Sequence, residues 1–314
     1  MPRTIIIGLD DSAESRAAAE WAAREAKLRG LPLRLIEVRE PLPEPVARAP
    51  FLGAETGRQR NGGGAAEASS ADGRGTTTDE AAAGLRLRHP GVEVTAEQVT
   101  GRPHEVLAKA AEDAELLVLG SRGLSGFAGF LVGSVGLAVV ARAERPVVLV
   151  RAGEQAADEH EPDPTGIPSA ATRYRPVLLG VDVDRPDDAV IRFAFTEAAR
   201  RGTALRVLHG WNLPSYYVHG LPADPEAYRA VADQQAAMLA KTLSPWRAEF
   251  EGVDVVEESF GGSPSIRLID ASREASLVVV GRRVRRNPFG IRIGPIAHAV
   301  LHHSAAPVAV VAHD

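Results

Sequence analysis

The chain has 314 residues, 45% of them hydrophobic and 25% charged, the balance of an ordinary soluble protein. At roughly 150 residues per domain, its length calls for two domains. The absence of cysteine excludes a disulfide scaffold, a thiolate zinc site and a cysteine nucleophile. A formal charge of −5 is too mild to point to a nucleic-acid or membrane-surface protein. Only Lys27, Lys109 and Lys241 among 36 basic residues are lysines, and this arginine bias, with abundant Ala and Gly, fits a GC-rich bacterial genome.

The chain begins with a short strand pattern, Thr4 to Leu9, followed by Asp10 and Asp11. Its apolar run, Ile5 to Leu9, is shorter than the roughly 7–15 residues of a secretory signal core and has no small-residue cleavage site, so a cytoplasmic protein is expected. Ser12 is placed to cap a helix over Ala13 to Leu28, and Gly30 lies just past its end. Strand patterns follow at Leu33 to Val38, Val92 to Val99, Leu116 to Leu119 and Val147 to Val150. The stretch Gly53 to Thr78, rich in Gly, Ser, Thr and Ala, reads as a flexible surface loop, with a short helix over Asp79 to Arg88. Gly101 and Pro103 precede a helix over His104 to Glu112, and Gly133-Ser134 opens another over Val135 to Ala143. Arg151 to Arg173, rich in Pro, Asp, Glu and Ala, reads as a linker.

The second half repeats the first. Ile5 to Asp10 matches Val177 to Asp182, and Gly30 matches Gly202, at an offset of 172. Gly101 with Pro103 matches Gly262 with Pro264, Leu116 to Gly120 matches Leu277 to Gly281, and Pro146-Val147 matches Pro307-Val308, at an offset of 161. The fall in offset places about eleven extra residues in the first half between Gly30 and Gly101. The second half also carries a longer helical pattern, Pro225 to Phe250. Alternating strands and helices, with nearly all-apolar runs such as Leu277 to Val280, predict mostly parallel sheets covered on both faces. Gly123 to Ala141 is uncharged over 19 residues, about the length of a membrane span. Its counterpart carries Arg285, Arg286, Asn287, Pro288, Arg292 and His298, which argues against lipid.

One motif carries chemistry. Gly120-Ser121-Arg122-Gly123, nine residues, and then Gly133-Ser134-Val135 form a glycine-rich connection from strand to helix. Such a loop lets backbone N–H groups approach an anion closely. Ser134 is placed to cap the helix or to donate to a phosphate. The pattern lacks the Gly-Lys-Ser/Thr of a Walker loop. Asp10 ends the first strand at the carboxyl edge, where open α/β sheets bind ligands, and suits ribose hydroxyls or an adenine amine. His298 and His302, four apart, with His303 adjoining, lack the glutamate of a metalloprotease helix and read as surface or helix-end residues. Adjacent Asp10 and Asp11 point to opposite faces of a strand and are not expected to cooperate. Trp21, Phe193 and Trp246 read as core or interface residues. No catalytic residue and no metal site is nominated.

With these residues in place, the chain resembles the universal stress protein family in a tandem two-domain form. The family's ATP motif is Gly, two residues, Gly, nine residues, then Gly followed by Ser or Thr, and Gly120, Gly123, Gly133 and Ser134 match it without a gap. Ile5 to Ser12 is similar to the family's opening strand and turn, Gly101-Arg102-Pro103 to its Gly-x-Pro, and Arg145 to Val150 to its closing strand. The resemblance implies two flavodoxin-like (adenine nucleotide alpha hydrolase-like) α/β domains, each with about five parallel strands, packed as an intramolecular pseudo-dimer. The domains would cover 1–151 and 174–314, joined by a linker over 152–173. A homodimer of the whole chain stays open. It also implies ATP, with or without Mg²⁺, bound in the first domain by Gly8, Leu9, Asp10, Val38, Gly120, Ser121, Arg122, Gly123, Gly133, Ser134 and Val135. The implied role is a stress-response regulator rather than a fast catalyst. A slow nucleotide hydrolase and a nucleotide-free scaffold are the alternatives. The second half departs from the motif: Val284 and Pro295 stand at the positions of Gly123 and Ser134, beside retained Gly281 and Gly294. Weak or absent binding is expected there, unless Arg282, Arg283, Arg285, Arg286 and Arg292 hold phosphate through their side chains.

Overall fold

A computed structural model describes residues 3–41, 75–121, 132–212, 225–284 and 293–314. In the first half, β1 (Ile5–Leu9), α1 (Ala13–Arg29), β2 (Leu33–Arg39), α2 (Gly75–Arg88), β3 (Val94–Thr100), α3 (Pro103–Glu112), β4 (Leu116–Ser121), α4 (Ser134–Val140) and β5 (Val147–Arg151) follow in order. The second half runs β6 (Val177–Gly180), α5 (Asp188–Arg201), β7 (Leu205–Trp211), α6 (Pro225–Glu249), β8 (Val255–Gly261), α7 (Pro264–Ala271), β9 (Leu277–Arg283), α8 (Pro295–His303) and β10 (Val308–His313).

The ten strands among the described residues lie in one sheet, in the order β3-β2-β1-β4-β5-β10-β9-β6-β7-β8. Pairing is parallel within each half, as the apolar strands and helical crossovers require. The halves meet where β5 and β10 run antiparallel, with Val148 opposite Ala309. In each half the winding reverses beside the first strand, between β1 and β4 or between β6 and β9, so each half is doubly wound about its own switch point.

Strand alternation sends side chains to two cores. Ile5, Ile7 and Val118 join Trp21, Phe195 and Trp246 under α1, α2, α5 and α6. Ile6, Leu117 and Leu119 join Leu107, Val139, Leu268 and Val300 under α3, α4, α7 and α8. Each core is continuous across both halves. Trp21 and Trp246 are buried and Phe193 packs at the margin of the first core, the core role expected for them.

The punctuation works as the local chemistry predicts. Ser12 caps α1 by accepting from the Ser15 N–H at 3.0 Å, and Gly30 closes it in the left-handed conformation at φ 64°. Pro103 and Pro264 open their helices, where a missing N–H costs nothing. The loop expected to run to Thr78 ends earlier, because α2 begins at Gly75 and Thr78 is buried with its hydroxyl donating to Glu37. The remainder of that loop lies outside the described residues.

The linker is structured. Ala156–Glu159 forms a 3-10 turn, and His160 pairs with Tyr174 in an antiparallel bridge. Glu154 and Glu159 both grip Arg24 of α1, at 2.6 and 3.0 Å. A second buried cluster joins α1 to α5. Arg29 bonds Glu25 (2.7 Å) and Glu197 (2.9 Å), while Arg201 bonds Glu197 (2.5 Å) and Glu25 (2.6 Å). Glu25 and Arg29 lie 172 positions before Glu197 and Arg201, so the ring is built twice from one helical pattern. Burial opposes ionisation of Glu25, but Arg201 and Arg29 outweigh it and hold its carboxyl at about 2. Burial and the Glu25 charge push Glu197 the other way, as befits two carboxylates titrating as a pair.

Candidate functional site

The register brings part of the predicted set, Gly8 to Asp10 with Val38, Gly120 and Ser121, together at one edge. Leu9 pairs with Glu37 across β1 and β2, so Asp10 emerges beside Val38. Gly8 pairs with Leu119 across β1 and β4, so Leu9 lies beside Gly120. Val38, Asp10, Gly120 and Ser121 therefore line the carboxyl ends of three adjacent parallel strands at the switch point, where the α/β fold leaves a crevice. Arg122 and Gly123 lie outside the described residues. The chain resumes at Val132, and Gly133, Ser134 and Val135 lead into α4, which returns beneath β4 and β5.

Asp10 is exposed at the mouth of this edge. Its Oδ1 accepts from the Ser12 hydroxyl at 2.5 Å and from the Ser12 N–H at 3.3 Å, which fixes the carboxylate over the β1–α1 turn. That turn is tight enough to put Asp11 at φ 60°, a conformation Asp tolerates better than most side chains. Arg16 donates to the Asp11 carbonyl at 2.6 Å. Asp10 is bonded within its own turn; both aspartates lie beyond the end of β1, so the turn at Asp11 and not the two faces of a strand sets them apart.

Two of the site glycines, Gly120 and Gly8, have an identifiable neighbour. A methyl group at Gly120 would stand 2.6 Å from the backbone carbonyl carbon of Glu14 and 2.7 Å from the N of Ser15, so the first turn of α1 rests directly on this residue. A methyl at Gly8 would meet the Leu119 side chain at 2.8 Å. Ser121 is buried, with its hydroxyl donating to the Val150 carbonyl at 3.2 Å, which leaves its backbone as the part that faces the edge.

Ser134 does not cap α4. Gly133 occupies the cap position with extended φ and ψ and provides no side-chain acceptor, while Ser134 is the first helical residue and exposed. The physical reason is register: the helix starts one residue earlier than the sequence suggested, at Ser134 rather than Val135. No cap side chain bonds the first-turn N–H groups, and the Ser134 hydroxyl stands free of a capping role. Gly133 and Ser134 thus open α4 without a side-chain cap.

The corresponding edge of the second half is built differently. Its β6–α5 connection is longer, and α5 starts under an Asp187 cap. A methyl at Gly281 would meet the His313 ring at 2.9 Å and the Val190 side chain, in the first turn of α5, at 3.2 Å, so its neighbours are side chains and not helix backbone. His313 also approaches Asp187 at 3.6 Å. Pro295 takes the first position of α8, removing both hydroxyl and N–H there. Arg282, offered by the sequence as a phosphate holder, is buried and donates across the interface to the Ala143 carbonyl. Arg285, Arg286 and Arg292 lie outside the described residues.

His302 departs from its sequence reading. It is buried, and its Nδ1 accepts the Val132 N–H at 3.2 Å, because this face of α8 packs on the first half. His298 and His303 are exposed, as a helix-end role requires. The signal available in the sequence was a histidine where the first half has Ala141. Among the described residues no group of three or more His, Asp or Glu is placed to hold a metal ion, and no helix is long and apolar enough to cross a membrane.

Comparison with known proteins decides the relationship. The sequence pattern of the universal stress protein family matches residues 1–151 and again 173–312.

The chain belongs to the universal stress protein family.

Two curated members are similar over nearly the whole chain. A universal stress protein of Mycobacterium tuberculosis H37Rv is 31% identical over 314 residues, covering 98% of this chain and 94% of its own. One from Mycolicibacterium smegmatis is 30% identical over 311 residues, covering 98% and 96%. The crystal structure of a universal stress protein from Archaeoglobus fulgidus shares the fold, with a TM-score of 0.60 at 17% identity, covering 99% of this chain and 98% of that one. Both the tandem arrangement and the α/β fold are thus those of universal stress proteins.

Proposed function

We propose that this universal stress protein is a cytoplasmic regulator that binds ATP, with or without Mg²⁺, in a first domain spanning 1–151 and changes its shape or partners accordingly. What supports this reading is the register that sets Val38, Asp10 and Gly120 on one switch-point edge, together with the sequence spacing of Gly120, Gly123, Gly133 and Ser134, which matches the family's ATP motif. Asp10 and the Val38 backbone would face the adenosine, and Gly120, Gly123, Gly133, Ser134 and Val135 the phosphates. No general base or arginine finger is identified among the described residues, so binding without fast turnover is expected. The second domain, 174–314, would serve as the structural partner in a pseudo-dimer, with its edge modified by Val284, Pro295 and His313.

A specific observation favours one competitor, a nucleotide-free scaffold: Gly120 and Gly8 are explained by packing alone. Denaturing the purified protein and identifying released nucleotide by mass, alongside calorimetry with ATP, separates the two. ATP binding that Gly123→Val abolishes supports the proposal, whereas no bound nucleotide and no heat of binding overturn it. Crystals soaked in ATP are expected to show density at the first edge only, and density at both would refute the assignment of a single site.

A further inference from the structure

Residues 132–143, which carry α4, are held at both ends by the second half. Before the helix, the Val132 N–H donates to His302 Nδ1 at 3.2 Å, with both residues buried. After the helix, the buried Arg282 guanidinium donates to the Ala143 carbonyl. Nδ1 is the acceptor in this bond, so the contact needs that nitrogen's lone pair. Neither contact is inherited from the repeat. The residues 161 positions earlier are Ala141, which has no side-chain acceptor, and Ser121, whose hydroxyl donates to Val150 within its own half. Arg151 ties the halves in the opposite direction, donating to the Ser304 carbonyl at the end of α8 at 2.7 Å. That carbonyl is the repeat equivalent of Ala143, yet its arginine comes from the end of β5, not from the end of β4. The two halves therefore grip equivalent helix ends by different means.

We propose that the second half is a clamp on the phosphate-facing segment of the first, with His302 and Arg282 as positioning residues that hold 132–143 in its binding geometry. This rests on the nucleotide-binding reading above. A loop fixed in advance loses less conformational freedom when ligand arrives, so the clamp raises affinity without touching the ligand. It also gives the degenerate half a purpose: freed from binding, its residues could diverge to hold the competent half.

The test uses the full-length protein as wild type, His302→Ala, His302→Asn, Arg282→Met and, as a control on the exposed face of α8, His303→Ala. Amide hydrogen exchange over residues 132–143, measured without nucleotide, reads the clamp itself. Loss of a neutral hydrogen bond predicts exchange at Val132 faster by about two- to tenfold in His302→Ala, and loss of a charged one a larger change near Ala143 in Arg282→Met. Asparagine places an oxygen close to the position of Nδ1, so His302→Asn should restore protection, and His303→Ala should match wild type. ATP affinity by calorimetry should weaken in the same order. Folded His302→Ala and Arg282→Met proteins with wild-type exchange would overturn the clamp. Altered exchange with unaltered ATP affinity would overturn its positioning role. Wild-type protein that does not bind ATP would defeat the functional reading, while the exchange measurements still decide whether the clamp exists.

Discussion

At the scale of single residues, Gly120 shows how packing and binding compete to explain one side chain. Its place in the nucleotide motif suggests a backbone kept bare for phosphate, but the structure sets the first turn of α1 on top of it, with no room for a methyl. The contact is backbone against backbone, so neither partner can turn aside. Gly120→Ala should therefore destabilise the fold by about 1–3 kcal/mol whatever it does to ligand affinity, measurable as a lower urea midpoint. Unchanged stability would mean that α1 can lift from the sheet. Gly123→Val, by contrast, is the substitution that reports on binding. Asp10 had a legible position but an illegible setting. It lies just past the end of β1, where a turn and not strand alternation sets it apart from Asp11, and nothing in the sequence announces that Ser12 caps the helix and anchors the Asp10 carboxylate at once.

At the scale of elements, the linker is where composition misleads. Pro, Asp, Glu and Ala suggest a solvated tether, but two of its carboxylates share the single guanidinium of Arg24. One cation cannot fully offset two buried anions. Burial first, and then the Glu159 charge, outweigh Arg24 and push Glu154 up to about 7. The sign of the consequence follows. The folded state binds a proton that the unfolded chain, with its carboxyl near 4.5, has already released. The stabilising contribution is thus complete below pH 4.5 and is lost as pH rises through 7. Urea unfolding at pH 5 and pH 7.5 should show a fall on the order of 1–3 kcal/mol from this group, and Glu154→Gln should flatten it. An identical pH slope in the variant would remove Glu154 as the cause. Glu25 acts in a different window: its lowered carboxyl contributes above 4.5, and that contribution is lost as pH falls towards 2.

The same comparison explains what could be read in advance. Strands and helices were legible because β-branched runs, proline and glycine act locally, and the repeat then supplied the domain count. Helix starts were less so: α4 opens on Ser134, and α2 reaches back to Gly75 through residues whose composition suits a loop. Contacts between halves were not legible. Glu25 with Arg29 and Glu197 with Arg201 stand four apart on their helices, the commonest surface ion pair, and only the docking of α1 on α5 turns them into a buried ring. His302 looked like a helix-end histidine for the same reason.

At the scale of the whole molecule, one sheet and two continuous cores bind the halves into a single body. Cooperative unfolding follows, because neither half can open without exposing core shared with the other. The Glu25–Arg29–Glu197–Arg201 ring tests this from the interface outwards. Arg201→Met removes one of the guanidiniums shared by two buried carboxylates and should cost about 3–5 kcal/mol, since the stranded charges keep their desolvation penalty. Replacing all four residues with apolar side chains of similar size should cost much less, because no buried charge is left without its partner. Scanning calorimetry should show one transition for wild type and both variants, with the single substitution the least stable of the three. Two separated transitions in wild type would mean that the antiparallel β5–β10 seam and its flanking cores do not couple the halves. If Arg201→Met proved as stable as the quadruple variant, the ring would be carrying its charges at no cost, and the interface would owe its strength to the apolar packing on either side of it.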